Sequence, residues 1–94
     1  MYFVVYCHDD SATPNAREAH YPAHRVHLEA ATLRLVLAGP FTDVSGDKKI
    51  GSLLVVEANS IEEVKAFTEK DPFHINRVWK DVQIHPYIKS TDNR

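Results

Sequence analysis

The chain has 94 residues and a formal net charge of -2, and its lysines and arginines are scattered, with only Lys48-Lys49 adjacent. It therefore lacks the basic stripe that neutralises a phosphate backbone, and no nucleic-acid partner is expected. A hydrophobic content of 44% is that of a folded domain, yet no stretch reaches the roughly 20 apolar residues that cross a bilayer, so no membrane partner is expected either.

Tyr2–His8 is rich in aromatic and β-branched residues and predicts a strand with apolar groups on both faces, Phe3, Val5 and Cys7 on one and Tyr2, Val4 and Tyr6 on the other. A strand apolar on both sides is usually covered on both sides. Asp9-Asp10-Ser11 is turn chemistry. Helical patterning begins at Ala12, and Pro22 interrupts it. Proline suits the first turn of a helix and disrupts its interior, so the expectation is two helical segments, near 14–20 and 22–32, or one kinked helix. On the wheel, Arg25, Glu29 and Thr32 share the polar side, while His24 and His27 lie on the broad, mostly apolar arc.

Leu33–Ala38 predicts a second strand, closed by Gly39-Pro40, and a loop follows over 42–49 with Ser45-Gly46-Asp47 as its turn. Residues 52–58 predict a third strand, pairing with the second as an antiparallel hairpin. Ser60 with Glu63 three residues on is a capping box, and Ile61, Val64 and Phe67 continue at helical spacing. Asp71-Pro72 ends that helix, because a residue before proline is pushed out of the α region. After a short turn over 72–76, residues 77–88 predict the last strand, with Pro86 marking its end or a sheet edge, and 90–94 form a polar tail. The order βαββαβ is the ferredoxin-like α+β pattern, a four-stranded antiparallel sheet with both helices on one face. The expected architecture is one domain over 1–94. Its uncovered apolar face, and the modest burial so short a chain achieves, point to a homodimer.

Several residues taken together carry a resemblance. They are Tyr2-Phe3-Val4-Val5-Tyr6 with an Asp-bearing turn, Arg17, Pro22-Ala23-His24 followed by Leu28, and Ala38-Gly39-Pro40-Phe41. Gly51-Ser52 opening a strand and Asp71-Pro72-Phe73 after the second helix complete the set. In this order and spacing, across nearly the whole chain, the sequence resembles the YciI-like family. The resemblance implies a dimeric α/β barrel and a pocket holding a histidine–aspartate pair, His24 and Asp71. It also implies chemistry like that of the family's dehydrochlorinase, which acts on chlorinated hydroxyhydroquinones. Many relatives have tyrosine where this chain has Phe73, which removes a hydroxyl.

His24 and Asp71 form the first candidate pair. A carboxylate on one ring nitrogen fixes the imidazole tautomer and raises its basicity, giving a general base for a phenol or an acidic C–H. The competing structural roles are a hydrogen-bonded packing histidine and an aspartate that caps a helix. Phe41, Ser52 and Phe73 are candidate substrate contacts, against ordinary roles in strand and core. Cys7 reads as a small buried hydrophobe. The lone cysteine forms no internal disulfide, and the N-terminus has no basic region ahead of its apolar run, so a reducing, cytoplasmic setting is expected. The histidines match no zinc spacing, and Gly39, Gly46 and Gly51 form no phosphate loop, so neither metal nor nucleotide cofactor is expected. Two functions are left standing. One is a cofactor-independent lyase or isomerase acting on a small cyclic or phenolic substrate. The other is a non-catalytic dimer that binds a small ligand.

Overall fold

A computed structural model describes residues 1–94. Its elements are β1 (Tyr2–Asp9), α1 (Ala16–Glu29), β2 (Arg34–Thr42), β3 (Lys49–Glu57), α2 (Ile61–Glu69), α3 (Pro72–Ile75) and β4 (Trp79–Tyr87). The strands form one sheet in the order β2-β3-β1-β4, every neighbouring pair antiparallel. This is the ferredoxin-like α+β arrangement.

The alternation of β1 sets the layers. Phe3, Val5 and Cys7 are buried, and they sit opposite Val56, Leu54 and Ser52 of β3 and Pro86, Ile84 and Val82 of β4. Val64 of α2 and Phe73 of α3 join this core, and Leu28 of α1 packs against it, so the helices cover one face. The other face carries Val4, Tyr6, Leu53, Val55 and Leu37 and has no helix on it. Leu37, Leu53 and Tyr6 there are 53%, 41% and 37% exposed.

Local chemistry explains the ends of the elements, and several differ from the expectations. The Ser60 hydroxyl accepts from the Glu63 amide at 3.3 Å, so one half of the capping box forms. Gly46 takes φ +84° in the β2–β3 loop, a left-handed value at home in glycine. Pro22 does not divide the helix: α1 runs unbroken past it, with Pro22 the seventh of its 14 residues. Its ring faces solvent, and the inward anchoring of His24 and Leu28 holds the turn that follows. Gly39-Pro40 does not end β2 either, because ladder pairing with Leu53 and Ser52 carries the strand to Thr42. The segment expected as a turn after Asp71 is the short helix α3, and β4 runs through Pro86, which its place at the sheet edge permits.

Candidate active site

The site lies between the covered sheet face and α1, where three chain segments converge. α1 turns His24 inward, 7% exposed. The α2–α3 junction brings Asp71, 1% exposed, beneath it. His24 Nδ1 lies 2.8 Å from Asp71 Oδ1 and 3.0 Å from Oδ2. A carboxylate can only accept, so the imidazole donates through Nδ1–H, which leaves Nε2 as the bare nitrogen of the neutral ring. Asp71 also caps α3: the Phe73 amide donates to Oδ1 at 2.9 Å. Asp71 thus bonds the imidazole and caps α3 at once.

The rings around His24 fix its plane. Phe73 stacks on it in parallel, centroids 3.9 Å apart and 1° between planes, and Trp79 meets it edge-on at 6.1 Å. Nε2 has no hydrogen-bond partner in the chain, and His24 lines a cavity of about 370 Å³ between α1 and strands β2 and β3. Leu28, Leu35, Pro40 and Leu54 give this cavity apolar walls, and Arg17, Arg25, Glu29 and Ser52 supply polar groups.

A second network borders the same cavity. Arg17 Nε donates to Asp9 Oδ2 at 2.8 Å, and its NH2 donates to Asp9 Oδ1 at 2.7 Å and to Ser52 Oγ at 2.9 Å. Trp79 Nε1 donates to the same Ser52 oxygen at 3.1 Å. The Arg17 guanidinium also sits 5.0 Å from the Phe73 ring centre, tying this network to the His24 stack. Beneath it, Cys7 is fully buried, and its thiol is pushed up to about 12, first by burial and then by the nearby Asp71 and Asp9 carboxylates. At that value it is an inert packing group.

Of the residues expected at the site, His24, Asp71 and Ser52 come together. Phe73 is there too, but it is fully buried and touches the imidazole rather than the cavity. Phe41 is not there. It lies opposite Gly51 on the uncovered sheet face, stacked on Tyr6 at 5.3 Å and edge-on to His8 at 5.2 Å. His27 donates to the Phe67 carbonyl at 2.9 Å and stacks on that ring, which is a packing role. No three His, Cys, Asp or Glu side chains are placed together so as to hold a metal ion. Arg17, Asp9 and Trp79 were not anticipated as parts of one network. Arg17 and Trp79 meet at Ser52, 35 and 27 residues away, a juxtaposition that only the fold creates.

A family model for the YCII-related domain matches residues 1–88. The chain belongs to the YCII-related family. Among curated relatives, Protein YciI of Escherichia coli O6:H1 is 29% identical over 96 aligned positions, covering 95% of this chain and 98% of the relative. Protein YciI of Shigella flexneri matches to the same extent. Among solved structures of the family's fold, 5-chloro-2-hydroxyhydroquinone dehydrochlorinase (TftG) of Burkholderia phenoliruptrix, in complex with 2,5-dihydroxybenzoquinone, superposes with a TM-score of 0.82. It is 28% identical to this chain, and the match covers 94% of each.

Proposed function

We propose that this YCII-family protein is a dehydrochlorinase-like lyase that needs no cofactor and acts on a small cyclic, phenolic substrate. His24 is the base and Asp71 its positioning residue. The observation that carries the reading is the buried Nδ1–H···carboxylate bond, which leaves Nε2 unpartnered in a cavity of ring size. In the elimination, a ring hydroxyl of the substrate's keto tautomer gives its proton to Nε2, the O–H pair becomes a carbonyl, and the shifted ring electrons expel chloride with the C–Cl pair, so HCl is lost and no redox partner is required. The Phe73 stack and the Asp71 bond together hold the imidazole in one plane, sparing the reaction the entropy of orienting its base. The likeness to TftG, a 5-chloro-2-hydroxyhydroquinone dehydrochlorinase, supports the reaction class.

The same reading includes a homodimer, formed through the uncovered sheet face with its exposed Leu37, Leu53 and Tyr6, and a reducing cytoplasmic setting for the lone cysteine. The alternative is a non-catalytic dimer that binds a small ligand. It is favoured by one observation, that capping α3 already gives Asp71 a structural occupation.

Chloride release from 5-chloro-2-hydroxyhydroquinone and from a panel of chlorinated phenols decides between them. The wild type should release chloride, and His24→Gln should lose about 10²–10⁴-fold in rate. No release by the wild type, or equal rates in the two proteins, would favour the binding protein.

A further inference from the structure

The Ser52 hydroxyl is constrained in an unusual way. It is 3% exposed, and its oxygen accepts from two groups that can only donate, Arg17 NH2 at 2.9 Å and Trp79 Nε1 at 3.1 Å. Both acceptor positions of the hydroxyl are therefore occupied. Its own hydrogen has no acceptor in the chain, and Ser52 lines the His24 cavity. Arg17 is in a similar condition. Three of its five N–H bonds are used, through Nε and twice through NH2, and NH1 has no hydrogen-bond partner in the chain. Its side chain is 14% exposed and lines the same cavity. No side-chain nitrogen or oxygen is both buried and unpartnered, so Arg17 NH1 meets the open space of the cavity. Donors arranged this way favour an acceptor atom arriving from outside.

We infer that Ser52 Oγ–H and Arg17 NH1 form an oxyanion site opposite the His24 base, one that selects substrates presenting a phenolate or enolate oxygen. The inference rests on the proposed reading of the cavity and adds to it the ionic form of the substrate. The charges around the cavity are paired rather than in excess, so the selection falls on the two unused donors. The ionisable lining is Arg17, Arg25, Glu29, Tyr21 and His24. Glu29 is itself engaged by Arg25 at 3.4 Å, and Asp71 lies behind His24. Asp9 takes up part of the Arg17 charge but holds its guanidinium by a two-bond fork, which aims NH1 rather than leaving it to swing. Leu28, Leu35 and Leu54 line the inner part of the cavity, and donors already in place act most strongly where charge builds on a ring oxygen. A neutral, fully methylated ring would leave both donors unmet.

4-Nitrophenol, yellow only as its phenolate, is a direct probe. Titrated in the presence of saturating wild-type protein, its colour change should move to lower pH by about 1–3 units, the shift an adjacent guanidinium gives an acid. The neutral ether 4-nitroanisole should bind at least tenfold more weakly above that transition. Ser52→Ala and Arg17→Gln should each reduce the shift, and His24→Gln should keep it. Because Arg17→Gln also strands Asp9, thermal melts of each variant accompany the titrations, and Ser52→Thr, which retains the hydroxyl, should restore the shift. An unshifted probe, equal binding of the ether, or a shift untouched in folded Ser52→Ala and Arg17→Gln would overturn the inference. A shifted probe without chloride release would leave the oxyanion site standing and defeat the lyase. Chloride release that depends on His24 but ignores probe ionisation would do the reverse.

Discussion

Replacing Asp71 separates its two occupations. In Asp71→Ala, two buried donors lose their acceptor, His24 Nδ1–H and the Phe73 amide, whose bonds are 2.8 and 2.9 Å long. Each orphaned donor costs about 1–3 kcal/mol, so the variant should lose about 2–6 kcal/mol, much of the stability of a domain this small. Asp71→Asn is different. Its amide oxygen still caps the Phe73 amide, and asparagine caps as well as aspartate. Its NH2 group then stands near the place of Oδ2, 3.0 Å from His24 Nδ1, and donates to a ring nitrogen that formerly donated to it. The imidazole answers by moving its proton to Nε2. A neutral bond replaces a charge-assisted one, at a cost of about 1 kcal/mol. Activity should fall far more, about 10²–10⁴-fold, because the base nitrogen is now protonated. Urea unfolding followed by the fluorescence of Trp79, the only tryptophan, gives the stabilities, and chloride release gives the rates. If Asp71→Asn loses stability and activity in the same small proportion, Asp71 is only a cap and the pairing argument fails.

Pro22→Ala should stabilise the protein by about 2 kcal/mol, because it restores an interior helix N–H at an exposed position and gives back only the entropy that proline removes from the unfolded chain; a loss on thermal melting would mean the proline shapes the packing of α1. Cys7 holds its proton up to about 12 when folded against an ordinary 9.0, so its contribution is complete below pH 9 and is lost as pH rises toward 12. Urea midpoints of the wild type should therefore fall more steeply than those of Cys7→Ala across that interval, and iodoacetamide at pH 8 should leave the native thiol unmodified. A Leu53→Lys substitution on the uncovered sheet face should turn a sedimenting dimer into a monomer while leaving the circular dichroism unchanged; a wild type that already sediments as a 10.7 kDa monomer would remove the dimer from the account.

The sequence carried the fold where a single residue pattern decides it. The two-sided apolar run of β1, the Ser60 cap and the Asp71-Pro72 break each have a local cause, and each appears in place. Pro22 and Gly39-Pro40 misled because breaker residues act locally, whereas the anchoring of His24 and the ladder to β3 are tertiary. Phe41 shows the limit most sharply. Plain alternation from the inward Leu35 would put residues 37, 39 and 41 on the covered face. The register shift between Leu35 and Leu37 reverses the order, so Ala38 and Pro40 face the cavity and Phe41 turns outward. Nothing in a single sequence marks that irregularity. The His24–Asp71 pair was legible through the family resemblance, its 47-residue separation being closed by the fold. The Arg17–Ser52–Trp79 cluster left no comparable signature, because serine, arginine and tryptophan at such distances are ordinary surface and core residues until the sheet brings them together.

In the proposed site, Asp71 holds the proton of His24 on Nδ1 and leaves Nε2 free for the substrate. Long-range ¹⁵N–¹H correlation spectra of the ¹⁵N-labelled protein, with His24 assigned by its absence in His24→Gln, read that arrangement directly. In the neutral ring, Nδ1 should give the shift of a protonated, hydrogen-bonded nitrogen and Nε2 that of a bare one, with the pattern exchanged in Asp71→Asn. A neutral His24 carrying its proton on Nε2 in the wild type would contradict the account.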